Sequence, residues 1–304
     1  MNSDAILVLQ TDNQKVRDVF QKSKKDVMEY IETIKMWFKT QPHLPEVPSD
    51  QLIETFLVTN KFSVEETKKK LDMYYTIRSV MPECFRNKNP KLPHMQEISK
   101  NIYYCPLPKL TKDLFRTIIT KIGGDPSKFD VYNLFAHQMN INEILIQEDL
   151  NLGDILIFDL EHLQMGHMLK FTPIHLKKAD TILQKVFSNR IKAIHLLNYP
   201  PFIDKLMAIL KAVLKQKLLD RIHLHSSTKS LAEYIPAEIL PEDYGGKEMS
   251  LNDLHELWKL KLEQHQKRFD ILEKFEVNEE LRPSNLVNDD ILGYYGNFKK
   301  LEVD

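Results

Sequence analysis

Among the side chains able to do chemistry, histidine is plentiful, at 11 in 304 residues. His162 and His167 follow ILIFDLE, the end of a predicted strand and a common place for a general base. No serine, cysteine or carboxylate stands at a spacing that would complete a nucleophile–base pair with them. His223 and His225, in RIHLH, alternate along another predicted strand. They are expected to face opposite sides, which argues against joint metal ligation. Asp159 and Glu161 are an acid pair by spacing, but the expected role of such strand-end carboxylates is to cap a loop or helix. Cys84 and Cys105 are too few for a zinc site or a disulfide framework, and are expected to be free buried thiols in a reducing compartment. No G-x-G-x-x-G follows a strand, and there is no Walker-type loop or G-x-S-x-G elbow. The expectation is a protein that is not an enzyme, with no catalytic residue, no metal ligand and no cofactor.

Two amides attract a different question. The periodicity predicts a helix over Val131–Glu148 whose apolar face carries Leu134, Phe135, Ile141 and Leu145. Gln138 and Asn142 lie on that same face. Amides so placed either bond neighbouring backbone or line a cavity where a ligand's polar end sits.

The stretch from Asn198 to Arg221, NYPPFIDKLMAILKAVLKQKLLDR, organises the chain around it. Pro200 and Pro201 set a helix start. Phe202, Ile203, Leu206, Met207, Ile209, Leu210, Val213 and Leu214 cover more than one face, bordered by Lys205, Lys211, Lys215 and Lys217. Periodicity permits two readings: a buried core helix with a lysine face, or a movable lid that is apolar both inwards and outwards.

The remaining elements follow from the pattern of apolar residues and breakers. Residues 13–40 read as one amphipathic helix, stopped by Pro42, Pro45 and Pro48. Ser49 or Asp50 caps a helix over 50–60, and Ser63 opens another through Arg78 with an S-x-x-E box. A loop-rich connector covers 82–100. NIYYCPLP reads as a strand, Thr111–Ile119 as helical or turn-like, and GGDPSKFD as a turn. Strands at 155–160, 191–196 and 221–225 alternate with helices at 173–186 and in the central stretch, which is the βαβ pattern of a largely parallel sheet. A helix near Ser230–Tyr234 precedes the turn at PEDYGG. From Ser250 a long charged helix carries Leu254, Leu257, Trp258, Leu262 and Phe269, and the last twenty-odd residues read as extended. The fold class expected is α/β, with an N-terminal helical domain over 1–82, an α/β domain over 83–249 and a C-terminal helix and tail over 250–304.

Composition narrows the class. The chain is 42% hydrophobic and 28% charged, enough to bury a sizeable core, and its net charge of −1 gives no global drive towards nucleic acid. The short apolar run near the N-terminus lacks a basic flank and a cleavage-like site, and no run approaches the ~20 residues of a membrane span. A cytoplasmic protein is expected.

Five segments, in order, carry a resemblance. They are FLVTNKFSVEETKKKLDMYYTIR (56–78), ILIFDLEHLQMGH (155–167), IKAIHLLNYPPF (191–202), RIHLHSS (221–227) and LPEDYGG (240–246). Together they resemble the CRAL-TRIO family of lipid-binding proteins, most closely its α-tocopherol transfer protein branch, over residues 13–275. The resemblance implies the CRAL-TRIO lipid-binding fold: a largely parallel sheet covered by helices, with a gate helix, plus an N-terminal three-helix domain. It implies a carrier that holds one small hydrophobic lipid, such as a tocopherol, retinoid or carotenoid, and exchanges it at membranes. The family's alternatives are phospholipid exchange and phosphoinositide sensing by a membrane adaptor. A monomer, without nucleic acid and with transient membrane association, is the expected state.

Carried over by position, the resemblance implies a pocket wall of Phe135, Gln138, Asn142, Leu156, Phe158, Met165 and Leu169. Ile182, Leu183, Phe187 and Ile194 continue it, and Phe202, Ile203, Leu206, Met207 and Leu210 close it from the gate. Some relatives also bind a phosphoinositide headgroup through basic residues, which here correspond to Lys69, Arg190, Lys192, Lys217 and Arg221. The sequence departs from that pattern at Val58 and Asn60, where those relatives carry arginines. It departs again at Gln138 and Asn142, which replace small hydroxyl residues of the tocopherol-transfer pattern.

Overall fold

The structure is a computed structural model that describes residues 9–283. Most of the N-terminal apolar run and the whole C-terminal tail expected to be extended lie outside the described residues.

The first helices are built by their caps. Asp12 caps α1 (Asn13–Val19), and Ser23 and Asp26 form a reciprocal capping box at the start of α2 (Lys24–Phe38). The single helix expected over 13–40 is therefore two, because the chain turns at Gln21 with φ +55° and Ser23 restarts it. Ser49 caps α3 (Asp50–Thr59), and Ser63 caps α4 (Val64–Val80) through the Glu66 amide. The expected connector holds two short helices, α5 (Pro82–Phe85) and α6 (Pro93–Ser99), each opened by its proline.

Five strands follow in the order β1 (Ile102–Leu110), β2 (Arg116–Ile122), β3 (Asp154–Asp159), β4 (Ile191–Leu197) and β5 (Ile222–His225), each hydrogen-bonded to the next. The β1–β2 pair is antiparallel and the rest are parallel. The helical reading of Thr111–Ile119 is overturned. Thr111 Oγ1 accepts from the Phe115 amide to make a tight turn, and the β-branched run RTIITKI then extends as β2.

Crossovers between the parallel strands are helical, as parallel pairing requires. α7 (Val131–Glu148), capped by Asp130, joins β2 to β3. Short α8 (Met165–Met168) and α9 (Pro173–Thr181) join β3 to β4, and α9 runs into a π-helical turn at Ile182–Val186. α10 (Ile203–Val213) and α11 (Gln216–Leu219) join β4 to β5. The central stretch is thus not one helix: Leu214 and Lys215 take extended backbone angles and break it. α12 (Thr228–Leu231), α13 (Leu251–Gln264) and α14 (Gln266–Leu272) complete the described chain, the long C-terminal helix being interrupted at His265.

One core runs through both halves, from Val16 and Ile31 to Trp258 and Phe269. Arg116 lies at its centre with no exposed surface and all five donors used. It donates to both Asp149 oxygens, to the Leu107 and Pro108 carbonyls and to Thr11 Oγ1. Gly153 lets β3 meet β4, since at φ +142° an added Cβ would lie 2.1 Å from the Arg190 carbonyl oxygen. No helix among the described residues is long and apolar enough to cross a membrane.

Candidate functional site

The sheet register sorts the strand residues onto two faces. Leu156 pairs with Ile194 and Ile194 with Ile222, while Phe158 pairs with Leu196 and Leu196 with Leu224, so these share one face. Leu156, Ile194 and Leu196 on it are buried, but Phe158 and Ile222 are only half-buried and Leu224 is 47% exposed. α10 shows the same looseness. Phe202, Ile203, Leu206, Met207 and Leu210 pack on the core cluster, yet no residue of α10 is fully buried. Its outward positions Asp204, Lys205, Ala208, Lys211 and Ala212 are exposed. The buried-helix reading fails, because no residue of α10 is fully buried; beside its exposed charges, Ile209 and Val213 are half-buried apolar residues that do not pack on the core cluster.

The other positions carried over by resemblance divide. Phe135 and Ile182 are buried, and Gln138, Met165 and Leu183 are half-buried. Leu169 stands 74% exposed after α8, away from any wall. Asn142 is buried, with its amide nitrogen donating to the Tyr104 hydroxyl at 2.9 Å and to the Gln138 carbonyl at 3.0 Å. The Gln138–Asn142 turn thereby satisfies an amide inside the apolar face, the first of the two roles open to it. Phe187 meets the Tyr74 ring edge-on at 6.4 Å, turned towards the helical half. Asn142 and Phe187 meet in a small cleft that also contains Asp154, Asn189 and Arg190. Burial drives the Asp154 carboxyl up to about 7, against the hydrogen bond donated by Asn189.

Beside that cleft opens a larger one of about 680 Å³. Lys61 and Lys70 enter it from the helical half, Arg190 and Lys192 from the start of β4, and Lys215, Lys217 and Arg221 from the segment around α11. Among the described residues, no carboxylate lines it. Convergent cations of this kind suit a polyanion. Burial, reinforced by the charge of Lys185, holds the Lys70 pKa below the ordinary lysine value despite Glu66. Lys192 lies 5.4 Å over the Phe115 ring, and Arg221 donates to the Ile191 carbonyl. Lys69 is not among these residues: it is exposed and paired with Glu66 at 2.9 Å, one residue and about 100° around α4 from Lys70. Asn60 lines the cleft, whereas Val58 is fully buried in the core.

The candidate chemistry of the strand ends reads differently in three dimensions. Asp159 accepts from the Tyr244 hydroxyl, the Asn198 amide and the Glu161 backbone N–H, with Lys121 at 3.4 Å. It is a structural hub, as a loop-capping carboxylate should be. The expectation that His223 and His225 face opposite sides is wrong, because residues two apart on a strand share a face. They stand together with His195 of β4. Among the described residues, no group of three His, Cys, Asp or Glu side chains could hold a metal ion. The two cysteines are free and buried.

A network missed entirely by sequence reasoning joins the halves. Glu143 of α7 accepts from the Tyr74 hydroxyl and from Arg78, and Arg268 reaches Glu46 at 2.9 Å. The only sequence signal was a carboxylate on an otherwise apolar helix face.

Comparison with known proteins agrees with this architecture. Residues 101–246 match the CRAL/TRIO domain, and residues 23–95 match the Pinta-like UBA domain. The "Alpha-tocopherol transfer protein-like" protein of Homo sapiens is 29% identical over 212 residues, covering 68% of this chain and 61% of that protein. Clavesin-2 of Rattus norvegicus is 27% identical over 201 residues, covering 65% of this chain and 62% of that protein. The match thus spans about three-fifths of the length of these relatives. A solved structure titled "Crystal structure of Sfh5" aligns with a TM-score of 0.45 at 15% identity, covering 97% of this chain and 100% of that chain.

Proposed function

We propose, from the chain's membership of the CRAL-TRIO family, that it carries one small hydrophobic lipid and exchanges it at membranes, with α10 as the gate. The observation that carries this reading is α10 itself. Phe202 at its start and Ile203, Leu206, Met207 and Leu210 within it are large apolar residues, none of them fully buried, and Phe158, Ile222 and Leu224 of the sheet are also incompletely covered. A helix with so much apolar surface ordinarily buries it in a close-packed core. Apolar surface left incompletely buried in this way is what a lid over an apolar ligand would present.

The energetics favour such a device. A long isoprenoid buries on the order of 500 Å² of apolar surface, roughly 12 kcal/mol at about 25 cal/mol per Å². Bare desorption into water is correspondingly slow, so a carrier must enclose the ligand in transit and open only against another apolar phase. A tocopherol, retinoid, carotenoid or related isoprenoid fits this class. The work is binding and release and needs no bond to break. It is done in the cytoplasm with transient docking on membranes.

The basic cleft is the proposed headgroup site for an anionic, phosphoinositide-containing membrane. Lys61 and Lys70 take the place expected of Lys69, alongside Arg190, Lys192, Lys217 and Arg221. Because Lys215, Lys217 and Arg221 follow α10 directly, an anion bound there pulls on the end of the gate. The test is transfer of a fluorescent tocopherol from loaded protein to anionic vesicles. Leu206→Asp with Leu210→Asp is expected to abolish retention of the probe while leaving the circular dichroism spectrum intact. Unchanged retention and transfer would remove α10 from the role. If vesicles bind through the cleft but no lipid moves, the chain is a headgroup-sensing adaptor instead.

A further inference from the structure

Three histidines meet on the sheet face bearing Ile157 and Asp159, and the sequence reading missed them. His195 pairs with His223 in the β4–β5 register, and Leu197 with His225. The rings of His195 and His223 stack at 5.1 Å, and His195 Nδ1 lies 2.8 Å from His225 Nε2. Tyr234, 52% exposed, covers all three at ring distances of 5.2, 5.0 and 5.2 Å.

Their hydrogen bonds have a direction. The single hydroxyl proton of Ser230 goes to the Ser227 carbonyl at 2.9 Å. His225 Nδ1–H must therefore donate to Ser230 Oγ, at 3.1 Å. That leaves His225 Nε2 as acceptor, and His195 Nδ1–H as its donor. A first proton on His195 Nε2 keeps this chain intact. A proton on His225 Nε2 does not, because it sets two N–H donors head to head.

The place matters as much as the chemistry. The His225 carbonyl accepts the backbone N–H of Asn198 at 3.0 Å, and Asn198, at φ +51°, is the first residue of the connection into α10. The β4–β5 contact that the histidine chain ties is thus the root from which the gate leaves. We propose that His195, His223 and His225 form an acid-released latch that holds the gate root closed while the imidazoles are neutral. This rests on α10 being the gate.

The surroundings set the direction of the effect. Burial, with the charges of His225 and His223, holds His195 down to about 4. Burial and His223 hold His225 below the ordinary value, against the charge of Glu233. From the segment containing α12, the cluster meets Ser230, Glu233 and Tyr234. From β3 it meets Ile157, opposite His195, and Asp159, opposite Leu197, whose carboxylate is tied to Tyr244 and Asn198. A histidine whose pKa is depressed when latched stabilises the latch above its free value and loses that contribution as pH falls from there through the depressed value. The surface of an anionic membrane, at about −30 mV, is more acidic than bulk by roughly half a pH unit. The latch therefore favours opening where an acceptor bilayer is.

The test is amide hydrogen exchange of residues 198–214 in the full chain, corrected for intrinsic rates, from about pH 7.5 to about pH 5, with and without vesicles containing phosphatidylinositol bisphosphate. Exchange protection there is expected to fall about tenfold on acidification, more than in β1–β3. His225→Gln and the His195→Gln, His225→Gln double variant are expected to remove most of that pH dependence, because His225 takes the proton that breaks the chain. The His225→Gln single keeps the test in place if the double does not fold. A pH-independent wild type, or variants as pH-sensitive as wild type, overturns the latch. In either case vesicle-driven exchange in 198–214 would still mark α10 as the gate, and its absence at both pH values would instead remove the gate.

Discussion

Tyr244, in the turn that follows α12, donates its hydroxyl to Asp159 Oδ2 at the end of β3, at 2.6 Å. Both groups are buried, and the contact joins LPEDYGG to ILIFDLE, two of the five segments that carry the family resemblance. The other Asp159 oxygen accepts from Asn198 and from the Glu161 amide. One carboxylate thereby ties the end of β3, the start of the connection into α10 and the closing turn.

Tyr244→Phe is expected to cost about 1–3 kcal/mol, the usual penalty for leaving one buried partner of a hydrogen bond unmatched. Urea denaturation would measure it. The pH dependence has a definite sign. Burial pushes the Asp159 pKa up, but Tyr244, Asn198, the Glu161 amide and Lys121 together hold it below the ordinary value. Its stabilisation is present above the unfolded aspartate pKa and is lost as pH falls through the folded one. In Tyr244→Phe, a strong hydrogen bond to the carboxylate is gone, so less stability should be lost on acidification than in wild type.

Arg116 makes a second prediction. Its guanidinium serves five acceptors, so lysine cannot replace it. Arg116→Lys is expected to destabilise by about 3–5 kcal/mol, as breaking a buried ion pair does. The double variant Arg116→Met, Asp149→Leu should recover only part of that, because the Leu107 carbonyl would lose its guanidinium donor and the Pro108 carbonyl would keep only the Gln10 N–H. Full recovery would reduce Arg116 to a simple partner of Asp149.

Much of this molecule was legible in its sequence, and the failures have physical causes. Where caps and breakers bound an apolar repeat, the elements follow: Ser49 opens α3 and Ser63 opens α4. β2 was misread because Thr111–Ile119 mixes a turn with the first half of a strand, and only pairing with β1 and β3 decides it. Lys69 and Lys70 cannot be told apart by composition, and the ion pair to Glu66 turns one outward. The histidine cluster was missed by a parity error at His223 and His225. Its third member, His195, is distant in sequence and comes to them only through the β4–β5 register.

That distinction gives a third prediction, for binding to anionic vesicles. Replacing Lys61, Lys217 or Arg221 by Gln is expected to weaken binding several-fold each, at about 1 kcal/mol per surface cation, with the effect shrinking as salt rises. Lys69→Gln should change it little. Sedimentation with vesicles separates the two sets, and a Lys69 effect equal to that of Lys217 would move the proposed headgroup site off this cleft.

The most direct measurement of the central claim is mass spectrometry of the lipid extracted from the protein after incubation with a mixed lipid extract. The account predicts one small hydrophobic lipid near one per chain in wild type, and its loss from Leu206→Asp with Leu210→Asp. A protein that folds and docks on vesicles but retains no lipid, or retains it equally in the variant, would contradict it.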